Sequence, residues 1–323
     1  MISNLYFVKL KNIGEHEFIK RYIKNYMDIK LLDDVFINEK RGYKVDGFKL
    51  SYAFPFMSLY DIGWKAISAS TSDIIAKGVK PEFYLISLGL PPDFDVNKAE
   101  ELIGGISDAI HYYGGRYVGG DLNDSDSNGW VDVFVEGEVL CDISDKVIDD
   151  GDLLVIGDYI GYTTNVFISY INNFNIQILP ESLLKVKHPI VKKSLLFFMK
   201  KYCKFIKYST DISDGLMVSL YKIVDNFNLG INITEIPIDK NVFNSLKLRL
   251  NLTELDILKY AGEEFLPLLI IDKNSPVKEM LAELQYLAFN PLIIGQVIHE
   301  NRLITYKNTV IKNTGWDNFI GWY

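Results

Sequence analysis

Between Tyr43 and Phe54, β-branched and aromatic residues mix with polar ones, and this pattern predicts a half-buried strand with a turn or bulge at Asp46-Gly47. The period then changes from two to nearly four. Ile62, Ala66, Ala69 and Ile74 recur at helical spacing behind Ser58 and Asp61, a capping pair, and Gly78 can close the last turn, so a helix is predicted over 59–77. Phe83 to Leu90 reads as a buried strand ended by Pro91-Pro92. Asn97 with Glu100 supplies an N-cap signature for a helix whose apolar face is Leu102, Ile106, Ala109, Ile110 and Tyr113, and Gly114-Gly115 ends it. A short strand at Tyr117-Val118 and a further strand with alternating Val131, Val133 and Val135 complete the first half.

The polar turn Asp149-Asp150-Gly151-Asp152 precedes a fresh apolar run, Leu153-Leu154-Val155-Ile156-Gly157, and sets a boundary near residue 150. Two domains are expected, 1–150 and 151–323, each long enough to bury a core of its own. In the second, the periodicity predicts helices near 190–204, 214–228 and 276–287 and strands near 231–234, 265–271 and 292–298. There is no fixed-period repeat and no low-complexity tract.

Composition removes several classes of partner. With 34 Lys and Arg against 42 Asp and Glu, the net charge of -8 argues against binding a phosphate polymer, which relies on basic residues to displace counterions. Apolar runs such as Phe265 to Ile271 are too short to cross a bilayer, and the N-terminus lacks a secretory pattern. Neither nucleic acid nor membrane is therefore an expected partner. Cys141 and Cys203 match no paired-ligand spacing, so they read as reduced thiols in a cytoplasmic protein.

The placement of short carboxylates is more informative than their number. Asp33-Asp34, Asp46, Asp73, Asp121, and the pair Asp211 and Asp214 fall mostly beside Gly or Ser at element ends. Turns and caps explain any one of them. Gly119-Gly120-Asp121 follows a strand, where it is either a tight turn or a seat for a metal-bound phosphate, the glycine N–H groups approaching the anion and the carboxylate the cation. Without a following Lys-Ser or Lys-Thr it is not the common phosphate loop of nucleotide hydrolases. Asp211 and Asp214 stand three apart ahead of Leu216, Leu220 and Ile223, at a predicted helix N-terminus. Ser213 or Asp214 could cap that helix, whereas Asp211 has no equal structural explanation and reads as functional. Asp73 lies four residues before Lys77, so an i,i+4 ion pair competes with a role at a site marked by the polar turn of Ser70, Ser72 and Asp73.

Taken in order, these segments form a known pattern. Ile13-Gly14-Glu15, Phe18-Ile19, Asp33-Asp34-Val35, Asp61 to Ala66, Ser72-Asp73, Gly78, Pro81, Leu88 to Pro91, Gly119-Gly120-Asp121, Gly151-Asp152, Asp211 to Leu216, Gly262-Glu263-Glu264-Phe265 and Gly315 to Phe319 follow one another over nearly the whole chain. The chain resembles the thiamine-monophosphate kinase family, of the superfamily that contains aminoimidazole ribonucleotide synthetase and selenophosphate synthetase. The resemblance implies an α+β fold of two aminoimidazole-ribonucleotide-synthetase-like domains, the N-terminal strands forming a barrel shared by a homodimer and the C-terminal domain α/β. It implies ATP as co-substrate, Mg2+ as cofactor and thiamine monophosphate as acceptor, phosphorylated to thiamine diphosphate without a protein nucleophile. By position, Asp34, Asp46, Asp73, Asp121, Asp211 and Asp214 would be metal ligands. Gly120, Asp121, Ser213 and Lys146 would contact ATP, and Glu263 and Trp316 the thiamine moiety. Clustered carboxylates suit this chemistry, because two phosphate chains repel and a hard cation between them needs oxygen ligands.

Some positions depart from the family. Ala53 replaces a substrate-contacting His and Asp145 an ATP-contacting Arg, with Lys146 beside it able to act only as a point charge. Lys44 and Val45 replace small hydroxyl residues, and Glu264 an Asp. Two alternatives therefore stand beside the kinase: a non-catalytic nucleotide-binding paralogue, and a superfamily enzyme using ATP on another small substrate. Selenophosphate synthesis and hydrogenase-maturation dehydration are disfavoured, since no Cys lies in the N-terminal loop or in the closing Gly-Trp-Tyr.

Overall fold

The computed structural model describes residues 8–29, 31–126, 129–144, 146–299 and 302–323, so Asp145 lies outside the described residues. A short helix, α1 (Glu15–Arg21), precedes a five-stranded sheet built from β1 (Phe36–Asn38), β2 (Arg41–Lys49), β3 (Val79–Leu90), β4 (Arg116–Asp124) and β5 (Trp130–Val139). The strands lie in the order β1-β2-β5-β3-β4, antiparallel except for the β3–β4 pair. The helices α2 (Leu59–Ala76) and α3 (Val96–Tyr113) connect them and pack on one face.

The second sheet contains β6 (Leu153–Ile156), β7 (Ile206–Thr210), β8 (Gly230–Ile233), β9 (Leu268–Ile271), β10 (Leu292–Ile298), β11 (Ile304–Tyr306) and β12 (Thr309–Val310). Its order is β12-β11-β8-β10-β6-β9-β7. Around it lie α4 (Tyr162–Ile171), α5 (Pro180–Lys187), α6 (Leu195–Tyr202), α7 (Leu216–Phe227), α8 (Lys240–Leu250), α9 (Glu254–Leu258) and α10 (Val277–Tyr286). Mixed sheets with helices make the fold α+β, as expected.

α2 carries Lys65, Ser72 and Asp73. Ser58 and Asp61 close a reciprocal capping box at its start, and Gly78, at φ +72°, follows its end. The helix is buried on nearly every side: Ile67, Ile74 and Ile75 are covered, and so are Ser68, Ser70, Thr71, Ser72 and Asp73. A helix buried all round needs internal partners for its polar groups. It crosses α3 at backbone distance, since a Cβ on Gly105 would stand 2.1 Å from the Tyr60 carbonyl oxygen and one on Gly63 would stand 2.2 Å from that of Leu102. Gly105→Val is therefore expected to cost about 3 kcal/mol in urea unfolding, because neither backbone can yield to the added methyls. An unchanged midpoint would contradict so close a crossing.

Several boundaries differ from the sequence pattern for reasons of pairing. The strand predicted from Tyr43 to Phe54 is β2, which stops at Lys49, opposite Trp130, because its partner strand begins there; Leu50–Tyr52 then form a 3-10 turn. β3 starts at Val79 because β5 pairs with it from Val139 onward. The cap of α3 is Asp95, whose side chain accepts from the Lys98 N–H, and not Asn97.

The two halves also share apolar packing. One apolar cluster runs from Ile74, Ile75 and Tyr113 into Leu195, Phe198, Met199, Phe265 and Met280, joining both halves, while a second belongs to the C-terminal sheet alone. The expectation of reduced thiols is overturned. Cys141, just after β5, and Cys203, just after α6, form a disulfide with Cα atoms 5.4 Å apart, although 62 residues separate them in sequence. Docking of α6 on the shared core brings them together, and no sequence spacing could show that. Among the described residues, no helix is long and apolar enough to cross a membrane.

Candidate active site

Three elements deliver carboxylates to one pocket. Asp34 comes from the loop before β1, Asp73 from the last turn of α2, and Asp211 from the end of β7. One oxygen of each lies within 4.8 Å of the others. Asp73 and Asp211 are buried, at 4% and 3% exposure. Thr210 Oγ1 donates to Asp34 at 2.9 Å and Lys222 of α7 pairs with the same carboxylate. Ser72 Oγ donates to Asp211 at 2.5 Å, joining α2 to β7.

The i,i+4 ion pair between Asp73 and Lys77, the alternative to a site role for Asp73, does not form. Lys77 Nζ instead meets Asp33 at 2.7 Å and lies 3.7 Å above the Tyr208 ring, while Asp73 pairs with Lys44 of β2 at 2.6 Å. Asp46, two residues beyond Lys44 on the same face of β2, is close enough to act on both Lys44 and Asp73.

The charges are unequally balanced. Burial pushes Asp73 well above the ordinary carboxylate range; Lys44 opposes this, and Asp211, Asp34 and Asp46 add to it. Burial and the neighbouring Asp34 likewise raise Asp211. Asp34 goes the other way: burial would raise it, but the ammonium groups of Lys222, Lys44 and Lys77 together hold it well below its usual value. Such a site favours added positive charge, because each carboxylate raises the cost of ionising the next.

A second group of residues adjoins the first along the Asp211–Gly215 loop. Glu263 N–H donates to the Ser213 carbonyl at 2.5 Å, Phe265 N–H to that of Ile212 at 2.9 Å, and Trp316 N–H to that of Asp214 at 2.9 Å. The Glu263 carboxylate faces Lys65 of α2 at 2.6 Å. Trp316 packs edge-on against Tyr52 and Trp322, and Trp322 against Phe167 and Tyr260, which makes an aromatic wall. Neither Ser213 nor Asp214 caps α7, whose N-cap is Gly215 at φ 125° with no side-chain bond. Burial raises Asp214 to about 7, against the pull of His16 at 3.9 Å.

The two ends of the described chain meet at this wall. Asp317 accepts from Glu15 N–H at 2.7 Å, and its carboxylate lies where a Cβ on Gly14 would sit, 2.7 Å away. Gly14 has φ +83°, so it suits the turn on both counts. His16 Nε2 lies 3.1 Å from the Trp316 carbonyl.

Gly120 and Asp121 do not join the pocket within one chain. Asp46, Val133, Ile86 and Gly120 lie in one row across β2, β5, β3 and β4, which separates Asp46 from β4 by three strand spacings, about 14 Å. Asp121 pairs with Ser87 and so faces away from α2, where Asn123 donates to it at 2.8 Å. A Cβ on Gly120 would lie 1.8 Å from the Ile86 carbonyl oxygen, so the strands close over that position. Lys146 sits in the connection between β5 and β6.

Sequence reasoning did not single out Lys65, Lys77, Lys222 or His16 as site residues. The signal for the first two was available: lysines interrupting a helix that is otherwise apolar and small. Lys222 is one turn from Ser219, whose hydroxyl bonds the Asp211 carbonyl at 2.9 Å. His16 depends on the meeting of the termini and carried no local signal.

Residues 37–139 match the family described as AIR synthase related protein, N-terminal domain. A thiamine-monophosphate kinase of Pyrobaculum calidifontis is 28% identical over 291 residues, covering 90% of this chain and 91% of its own length. The structure of AaThiL complexed with AMPPCP and TMP superposes with a TM-score of 0.81 at 22% identity, covering 97% of this chain and 99% of that one. The thiamine monophosphate kinase of Aquifex aeolicus gives 0.78 at 23% identity, covering 94% and 100%.

Proposed function

We propose, for a chain that has the fold of these kinases and an N-terminal region matching the AIR synthase related family, that it transfers a phosphoryl group from ATP to thiamine monophosphate, forming thiamine diphosphate. The observation that carries this reading is the convergence of Asp34, Asp73 and Asp211, from separate elements, on one buried pocket. Likeness to named kinases along nine tenths of the chain supports the acceptor, and the AMPPCP and TMP held by AaThiL support the pair of ligands.

The gathered oxygens of Asp34, Asp73 and Asp211 fit a hard divalent cation, and these three with Asp46, Asp214 and Asp121 are the residues that would hold Mg2+, Asp73 only where Lys44 releases it. When bound, the ion neutralises the phosphate chains and lowers their mutual repulsion. Protein groups orient the reactants. Ser213 and Lys146, with Gly120 and Asp121 contributed across a dimer, receive ATP, while Glu263 and the Trp316 wall receive the thiamine moiety, an aromatic face meeting a cationic ring. No protein nucleophile is required, since in-line transfer depends on positioning and charge.

A homodimer completes the reading. The face of the first sheet left bare by α2 and α3 exposes Val45, Leu85 and Val118, which supports burial against a second copy. Asp121 lies on that bare face and too far from its own Asp46, so it serves the pocket of the partner. Asp121→Asn is expected to slow turnover by about a hundredfold with the fold intact. An unchanged rate would remove Asp121 from the metal set. A cytoplasmic setting follows from the demand for ATP, the disulfide having removed the thiols as an argument.

The decisive assay supplies ATP, Mg2+ and thiamine monophosphate and measures thiamine diphosphate. Product is expected. ATP binding without product at high enzyme concentration selects the non-catalytic paralogue, a reading that Ala53 at the family His position favours.

A further inference from the structure

We propose that Lys44 is a tethered cation that answers the charge of Asp73, so that this chain holds one divalent ion fewer than its carboxylates would otherwise take. The inference deepens the reading above and rests on its cation pocket. Lys44 stands opposite Val135 on the α2-facing side of β2, and its Nζ lies 2.6 Å from Asp73 Oδ2, with the two side chains 14% and 4% exposed. The same ammonium acts on Asp46, Asp34 and Asp211. It therefore occupies the corner common to the carboxylates that would surround a metal.

An ammonium and a divalent cation cannot share that corner. Mg2+ needs bare oxygens at about 2.0–2.1 Å, and an ammonium hydrogen-bonded to one of them blocks the approach and repels the ion. Lys donates only, so it cannot join the coordination sphere as a ligand while charged. The other two lysines approach from different sides: Lys77 is turned to Asp33, and Lys222 pairs from α7 with Asp34, a member of the same carboxylate group, whereas the contact to Asp73 is made by Lys44. Asp73, buried at the end of α2, needs some positive partner, and β2 supplies one within the chain.

The test counts Mn2+ bound to the full chain by electron paramagnetic resonance, in the presence of a non-hydrolysable ATP analogue. Lys44→Met is expected to bind one Mn2+ more than the wild type and to show the larger rise in Tm on adding Mn2+. Lys44→Arg, which keeps the charge, is expected to keep the wild-type count. Equal counts for wild type and Lys44→Met would overturn the inference and leave the pocket's cation reading standing. No bound Mn2+ in either would overturn both. If Lys44→Met does not fold, Asp73→Asn in the otherwise wild-type chain decides: an unchanged Mn2+ count supports the proposal, and loss of an ion refutes it.

Discussion

Asp211→Asn is expected to lower kcat for thiamine diphosphate formation by about three orders of magnitude while leaving Tm unchanged or raised. Under the proposed function the rate falls because an oxygen proposed to hold Mg2+ loses its charge at the centre of the pocket, a loss of several kcal/mol in the stabilisation of developing charge. Stability does not fall, because Asp211 is buried beside Asp34 and Asp73, and its charge is a cost to the metal-free fold. Asparagine keeps an acceptor oxygen for the Ser72 hydroxyl. Parallel measurement of product formation and thermal unfolding checks both parts. A drop in Tm together with the rate would show that Asp211 holds the fold together, and would count against a site built on strained like charges.

Glu264→Ala is expected to do the opposite, costing about 3–5 kcal/mol of stability in denaturant unfolding through the loss of one partner of a buried ion pair. Glu264 is 1% exposed; it accepts from Gly161 N–H at 2.6 Å and Thr163 Oγ1 at 2.8 Å, and pairs with Lys185 at 2.6 Å. Its neighbour Glu263 pairs with Lys65 of α2 instead. The adjacent glutamates thus divide the work, one anchoring the Gly262–Phe265 segment to α4 and α5, the other left at the site. A loss below about 1 kcal/mol, the level of an exposed pair, would show that the anchor is dispensable.

What was legible in the sequence was local. The Ser58 and Asp61 capping box, the apolar stripe of α3 and the Val131, Val133, Val135 alternation depend on residues a few positions apart, and each formed the predicted element. β7 escaped because Lys207, Ser209 and Thr210 give it a polar look, although it is paired to β9 and mostly buried. α8 and α9 escaped because their apolar positions lack a clear period, and their starts rest on Asp239 and Thr253 caps. At the site, the carboxylates could be picked out singly, but not their counter-ions. The partner of Asp73 is Lys44, 29 positions back on another element, rather than Lys77 one turn along its own helix. Helical spacing offers a pair only where both side chains reach water or each other, and here the helix end is packed between two sheets.

That packing has a thermodynamic consequence. Because Ile74, Ile75 and Tyr113 share one apolar cluster with Leu195, Phe198 and Met280, the two halves are expected to unfold together. Heating should melt the molecule as one cooperative unit with a single calorimetric peak, and a fragment ending near residue 150 would present the back of α2 and α3 bare to solvent and aggregate. The buried carboxylate on α2 is then no more mobile than the molecule as a whole: Asp73 is expected to leave the cleft only if the protein unfolds.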